Sequence, residues 1–128
     1  MRLLVDTQLL LWAAAEPHRV PDQAAGLMEA EDNELHFSVV SLWETTIKNG
    51  LGRPDFQVDA RRLRGRLLES GYREVTVGAE HALFMLPRFH GDPFDRMLVA
   101  QAAVEQLTVL TVDATLARYG DHAAIHLA

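Results

Sequence analysis

Hydrophobic residues along this chain gather in short runs, which are separated by longer segments with helical spacing. The runs at residues 2–5 and 108–112 are apolar almost throughout, which is typical of strands buried on both faces of a sheet. The run at residues 35–40 is rich in β-branched and aromatic side chains, which also favour strands. The pattern predicts strands at residues 2–5, 35–40, 74–77 and 108–112, with an edge strand at 124–127.

The segments between these strands carry residues that start and stop helices. Pro21 and Pro93 stand where a helix begins, a position that suits the fixed φ angle of proline, and Gly71 stands just past the end of one. The pattern predicts helices at residues 9–13, 21–31, 41–50, 59–69, 79–86 and 93–106, and a short one that ends at Gly120.

Strands that alternate with helices indicate an α/β fold. Right-handed crossovers then produce a parallel sheet that is covered by helices on both faces. We predict one domain over residues 1–128, a three-layer α/β/α sandwich with a mainly parallel central sheet. In open sheets of this kind, ligands bind beyond the carboxyl ends of the strands.

Composition excludes several kinds of site. The chain has no cysteine, so disulfides, thiolate metal sites and a cysteine nucleophile are ruled out. Asp6 interrupts the first apolar run too early for a signal peptide, and no segment is apolar for long enough to span a bilayer, so we expect a cytoplasmic protein without membrane association.

The formal net charge of −6 argues against simple tracking of nucleic-acid phosphates. Charge distribution matters more than net charge, however, and one part of the chain is locally basic. It could bind phosphates or be an ordinary solvated helix face, and it contains Lys48, Arg53, Arg61, Arg62, Arg64 and Arg66.

The most informative feature is the placement of four acidic residues. Asp6 and Asp113 follow the two most apolar strands, while Glu44 and Asp95 each lie near the start of a predicted helix. Helices that leave the same edge of a parallel sheet begin at that edge. The predicted fold would therefore bring all four carboxylates together.

Helix capping offers another explanation for each acid. Ser41 and Glu44 have the spacing of a capping box, in which Glu44 reaches back to the Ser41 amide. The other acids would act as N-caps or lie in first turns: Asp6, Asp92, Asp95 and Asp113. Capping accounts for each residue singly, but it predicts no common location.

A cluster of carboxylates favours a bound cation, because like charges at short range raise one another's pKa. Mg²⁺ and Mn²⁺ prefer oxygen ligands, and their usual chemistry with phosphate esters is activation of water for phosphoryl transfer. Five of the six histidines lack the spacing of metal ligands and are assigned no role: His18, His36, His81, His122 and His126. His90 lies close in sequence to Asp92 and Asp95 and could approach the site, although a loop histidine is more often not catalytic.

In four segments the chain resembles the PIN-domain ribonucleases and, more narrowly, the VapC toxins of bacterial type II toxin–antitoxin modules. The segments are Leu4-Val5-Asp6-Thr7, Ser38-Val39-Val40-Ser41-Leu42-Trp43-Glu44, His90-Gly91-Asp92-Pro93-Phe94-Asp95-Arg96, and Thr111-Val112-Asp113 through Ala117-Arg118-Tyr119-Gly120. They occur in the family's order and cover nearly the whole chain.

The resemblance implies a PIN-like fold, RNA cleavage that depends on Mg²⁺ or Mn²⁺, a homodimer, and an antitoxin protein that blocks the site. The family's metal-binding and catalytic acids map onto Asp6, Glu44, Asp95 and Asp113.

Other matched positions would have supporting roles. Thr7 and Ser41 would orient carboxylates or waters through their hydroxyls, and Asp92 is interpreted as a helix cap. Arg96 would contact RNA or pair with a neighbouring acid. Where many relatives have a His-Ala pair after the first motif, this chain has Gln8-Leu9.

Three functions remain to be compared. The first is a metal-dependent endoribonuclease, and the second is a non-catalytic PIN-like module that binds RNA or protein. The presence of all four acids argues against the second, because degenerate members would be expected to lose them. A phospho-acceptor signalling domain ranks last, because it needs paired acids near the first strand and a lysine near the last, whereas the only lysine here is Lys48.

Overall fold

A computed structural model describes all of residues 1–128 and contains one five-stranded sheet. The strands are β1 (Arg2–Val5), β2 (Glu34–Ser38), β3 (Arg73–Val75), β4 (Thr108–Thr111) and β5 (Ala124–Leu127). Their spatial order is β3-β2-β1-β4-β5, and all four pairings are parallel. The predicted α/β fold is confirmed, and the sheet predicted to be mainly parallel is parallel throughout.

Seven α-helices connect or follow the strands. They are α1 (Thr7–Ala15), α2 (Asp22–Glu29), α3 (Val39–Gly50), α4 (Ala60–Glu69), α5 (Ala79–Leu83), α6 (Pro93–Glu105) and α7 (Ala114–Ala117). A single turn of 3₁₀ helix lies at Pro17–Arg19. None of these helices combines the length and the apolar character that a membrane span requires.

The sheet separates two hydrophobic cores, which explains why β1 is apolar on both sides. Leu3 and Val5 pack on one face with residues of α1, α2 and α4, whereas Leu4 packs on the other face with residues of α6 and α7. All three side chains are fully buried. Successive side chains of a strand point to opposite faces, so a central strand covered by helices on both faces must be apolar at every position.

The start of α3 differs from the prediction. The strand β2 ends at Ser38 rather than at residue 40, and α3 begins at Val39 rather than at Ser41. The physical reason is the N-cap: the Ser38 hydroxyl accepts a hydrogen bond from the Val40 amide at 3.0 Å. Val39 and Val40 favour strands by propensity, but the cap places them in the first turn of the helix.

Most other boundaries shift by a few residues. α1 extends beyond the predicted 9–13 at both ends, whereas α2 ends at Glu29, α5 at Leu83 and α7 at Ala117, each earlier than predicted. The strand β3 runs from Arg73 to Val75 instead of 74–77.

Replacing Ser38 with alanine is expected to lower the free energy of unfolding by roughly 2 kcal/mol, because a helix cap and a buried hydrogen bond are lost together. The Ser38 hydroxyl is fully buried, and besides capping α3 it donates to Gln101 Oε1. Urea denaturation of Ser38→Ala would measure the effect. Thr46→Ala, which removes an exposed hydroxyl from the same helix, is the control and should change stability much less.

Candidate active site

The carboxyl edge of the sheet contains a cavity of about 210 Å³ that is lined by all four acids singled out in the sequence, Asp6, Glu44, Asp95 and Asp113. The strands β1 and β4 are neighbours, which places Asp6 beside the end of β4. The helices α3 and α6 deliver the other two acids, and these helices are in contact with each other. The other residues that line the cavity are Thr7, Gln8, Leu11, Lys48, Asp92 and Leu116.

Asp6 is held in one orientation at the end of β1. Its Oδ1 accepts a hydrogen bond from the Leu9 amide at 2.9 Å, which caps α1, and its Oδ2 accepts one from the Thr111 hydroxyl. Burial raises the pKa of Asp6; the hydrogen bond from Thr111 opposes that rise, and the charge of Asp113 adds to it. Asp6 is therefore both a helix cap and a member of the acid cluster.

Glu44 has no capping role, so the predicted capping box with Ser41 is wrong. Because α3 begins at Val39, Glu44 lies in the second turn of the helix. Its Oε2 forms an ion pair with Lys48 Nζ at 2.9 Å, whereas its Oε1 is buried and has no hydrogen-bond partner. A buried carboxylate oxygen without a partner is unfavourable, and a cation would relieve it.

Asp95 lies in the first turn of α6, next to the residue that caps this helix. Asp92 Oδ1 accepts hydrogen bonds from the amides of Phe94 and Asp95 at 2.9 and 3.2 Å. Asp92 therefore acts as the cap that the sequence predicted. Burial raises the pKa of Asp95 to about 6, with further contributions from the charges of Asp92 and Glu44, and a hydrogen bond to His90 opposes the rise.

Asp113 is the most exposed of the four acids and caps α7 by accepting a hydrogen bond from the Thr115 amide at 2.8 Å. The Thr111 hydroxyl links it to Asp6, because this hydroxyl accepts from the Asp113 amide at 3.0 Å and donates to the Asp6 carboxylate. Sequence reasoning missed Thr111. Its only signal is a hydroxyl at the end of the strand that pairs with β1.

Of the predicted supporting residues Thr7, Ser41 and Arg96, only Thr7 lines the cavity, and all three have partners other than those expected. The hydroxyls of Thr7 and Ser41 are buried and hydrogen-bond each other at 2.8 Å, so they join α1 to α3 rather than holding a carboxylate. Arg96 pairs with no acid; it donates to the carbonyl oxygens of Leu86 and Pro87.

His90, which the sequence places near the acids without a clear catalytic role, contacts the acid cluster directly. Its Nε2 lies 3.3 Å from Asp95 Oδ2, and its Nδ1 lies 2.8 Å from the Tyr119 hydroxyl. Loop spacing could not reveal this contact, because it depends on a tyrosine that is 29 residues away in the chain.

The chemistry of these donors fits a hard divalent cation. No three of the carboxylates, or of any other acidic or histidine side chains, are grouped closely enough to hold an ion among themselves as they stand. Mg²⁺, however, needs only one or two direct carboxylates and keeps several waters. Glu44 Oε1 is an oxygen that no protein group uses, and the raised pKa of Asp95 reflects burial and neighbouring negative charges that a cation would offset.

Comparison with known proteins shows the family to which the chain belongs. Residues 3–121 match the family model described as PIN domain. No curated protein matches the chain at a significant level.

Several solved structures share the fold over nearly the whole chain. VapBC2 from Rickettsia felis, bound to a DNA fragment from its promoter, is 14% identical with a TM-score of 0.67, covering 99% of this chain and 98% of that one. DNA-bound VapBC from Salmonella typhimurium is 12% identical with a TM-score of 0.66, covering 98% and 97%. VapBC-1 from nontypeable Haemophilus influenzae is 12% identical with a TM-score of 0.63, covering 99% and 98%.

Proposed function

Because this chain belongs to the PIN-domain family, we propose that it is an endoribonuclease that depends on Mg²⁺ or Mn²⁺ and acts as the toxin of a VapBC-type toxin–antitoxin module. The observation that carries the proposal is the shared cavity of Asp6, Glu44, Asp95 and Asp113 at the carboxyl edge of the sheet. The fold similarity to VapBC structures supports the toxin assignment.

Glu44 and Asp95 are the residues best suited to bind the cation directly. Glu44 offers an oxygen that no protein group uses, and Asp95 has one oxygen, Oδ1, that accepts no hydrogen bond. A divalent cation in such a site lowers the pKa of bound water and compensates charge on the phosphate. Asp6, with both oxygens already fixed, would orient water at the edge of the cavity, and the more exposed Asp113 would act where substrate enters.

The start of α6 does not offer free amides to the phosphate. A helix N-terminus normally binds anions through such N–H groups. Here Asp92 Oδ1 already accepts from the amides of Phe94 and Asp95. Phosphate binding therefore has to come from the cation and from basic side chains near the cavity, of which Lys48 is one.

We also propose an antitoxin partner and a homodimer. The support is apolar surface along α3 and its C-cap and around the end of α5: Trp43 is 62% exposed and Met85 is 90% exposed, and Ile47, Leu51 and Leu83 are exposed as well. Large apolar side chains grouped on a surface are typical of protein interfaces. By contrast, Leu9 to Leu11 in α1 are buried in the core and offer no such surface.

The test is an RNA cleavage assay with the purified chain, using total bacterial RNA as substrate, with Mg²⁺, with Mn²⁺ and with EDTA. We expect internal cleavage that EDTA abolishes and that Asp6→Asn, purified in parallel, does not show. Cleavage by the variant at the wild-type rate would identify a contaminating nuclease. RNA binding without cleavage in any metal would instead support a non-catalytic module.

A further inference from the structure

A chain of hydrogen bonds that begins at Arg96 ends on the carboxylate of Asp95. Arg96 Nη1 donates to the Tyr119 hydroxyl at 3.1 Å. That hydroxyl lies 2.8 Å from His90 Nδ1, and His90 Nε2 lies 3.3 Å from Asp95 Oδ2. Tyr119 is fully buried, and the side chains of His90 and Asp95 are only 19% and 21% exposed, so water has limited access to compete for these bonds.

The direction of donation along these hydrogen bonds follows from the chemistry of Arg96. A guanidinium can only donate, so the Tyr119 oxygen accepts from Arg96 and has one O–H left to give. His90 Nδ1 is the remaining partner of the Tyr119 oxygen, and donating that O–H to Nδ1 satisfies both groups of a neutral ring. In this arrangement the ring proton is on Nε2, the nitrogen that faces Asp95.

We propose that Arg96, Tyr119 and His90 are positioning residues that hold Oδ2 of Asp95 by a one-directional chain of donors and leave Oδ1 free to bind the cation. The inference rests on the proposed function, since it assigns a purpose to the orientation of Asp95. It also gives His90 and Arg96 one shared role, which neither residue's position in the sequence indicates.

Further contacts of Arg96 and Tyr119 hold these hydrogen-bonded side chains in place. Arg96 is fixed by the carbonyl oxygens of Leu86 and Pro87 at 3.3 and 3.0 Å, in addition to Tyr119. The Tyr119 ring packs against Phe89 with the ring centroids 5.0 Å apart. A carboxylate held by a fixed donor loses little further rotational freedom when it binds a cation, and such outer partners commonly set the affinity of metal sites.

A purely structural role makes different predictions. If these hydrogen bonds only joined the loop before α6 to the segment after α7, removing them would lower the melting temperature without changing the affinity for the cation. If it positions Asp95, breaking it weakens cation binding in protein that remains folded. The tautomer of His90 and the affinity for Mn²⁺, measured together with stability, therefore distinguish the two roles.

The first measurement is the tautomer of the His90 ring, which ¹⁵N NMR reports in metal-free protein. We expect the Nε2–H form in the wild type and a loss of that preference in Tyr119→Phe, which removes only the hydroxyl. Tyr72→Phe is the matched control, because Tyr72 packs against the hydrophobic core on the opposite face of the sheet from Tyr119, and it should leave the tautomer unchanged. The Nδ1–H form in the wild type, or an unchanged ring in Tyr119→Phe, would overturn the inference.

The second measurement is Mn²⁺ affinity by titration calorimetry. His90→Ala is expected to weaken binding by about 10- to 100-fold, the usual effect of removing a partner of a metal ligand. His90→Gln retains an N–H donor and should lose less affinity than His90→Ala. His122→Ala removes an exposed histidine with no contact to the site and should bind Mn²⁺ as the wild type does.

These readouts separate the inference from the proposed function. Wild-type protein that cleaves RNA while His90→Ala binds Mn²⁺ with unchanged affinity overturns the positioning role and leaves the nuclease assignment intact. Wild-type protein that binds Mn²⁺, loses affinity in His90→Ala and cleaves no RNA overturns the nuclease assignment and retains the positioning role. An equal loss of affinity in His90→Ala and His122→Ala would also count against His90.

Discussion

Asp95→Asn is expected to abolish RNA cleavage and at the same time to stabilise the metal-free protein. Asparagine keeps the shape of the side chain but removes the charge that would bind the cation, so we expect the cleavage rate to fall by roughly 100- to 10,000-fold. The same charge is unfavourable in the folded protein, because burial and the charges of Asp92 and Glu44 raise the pKa of Asp95 to about 6. Removing it should stabilise the metal-free fold by on the order of 2 kcal/mol near neutral pH.

Two other acids provide the controls. Asp92→Asn should retain most of the activity, because asparagine caps a helix as well as aspartate does and Asp92 is occupied by the amides of Phe94 and Asp95. Asp121→Asn changes an exposed acid outside the cavity and should affect neither activity nor stability. An Asp95→Asn protein that cleaves RNA at the wild-type rate would remove Asp95 from the site.

The combination of lost activity and gained stability distinguishes a functional acid from a structural one. If Asp95 served only the first turn of α6, its neutralisation would weaken a favourable interaction with the helix N-terminus and lower the melting temperature. In this site the burial of Asp95 and the neighbouring negative charges outweigh the favourable interaction of its charge with the helix N-terminus. Thermal denaturation of wild type and variant in EDTA therefore tests the electrostatics of the site independently of RNA.

The sequence was sufficient to predict the sheet and the convergence of the acids. The runs around Leu4 and Val109 are apolar on both faces, which requires helices on both sides and hence parallel crossovers. That topology alone places Asp6 and Asp113 at one edge. Their positions follow from chain order and strand direction, which are properties that a single sequence displays.

The contacts of the acids were not predictable in the same way. The ambiguity between strand and helix at Val39 and Val40 hid the cap at Ser38 and made Glu44 look like part of a capping box. The bond from Thr111 to Asp6 depends on the register between two strands that are 105 residues apart. Local propensity carries no information about such a register.

Metal binding is expected to stabilise the protein increasingly as the pH rises from about 5 to about 7.5. Without metal the stability of the fold should instead fall as the pH rises, because the pKa values of Asp6 and Asp95 are raised in the folded protein. For each group the folded-state pKa lies above the unfolded value. The stability that protonation provides is therefore complete below about pH 4 and, for Asp95, is lost as the pH rises through about 6. A divalent cation binds the deprotonated carboxylates and only in the folded state, which adds stability over the same interval.

The measurement is the melting temperature of wild type and Asp95→Asn across this range, in EDTA and in millimolar Mg²⁺. In EDTA the two proteins should melt alike near pH 4 and diverge above it, with the variant several degrees higher near pH 7. Contributions from ionisable groups elsewhere in the molecule are common to both proteins and cancel in the difference. With Mg²⁺ the wild type should gain stability and the variant should gain little, which reverses the order of the two melting temperatures. A constant difference at all pH values, unaffected by Mg²⁺, would mean that Asp95 neither titrates near pH 6 nor binds the cation.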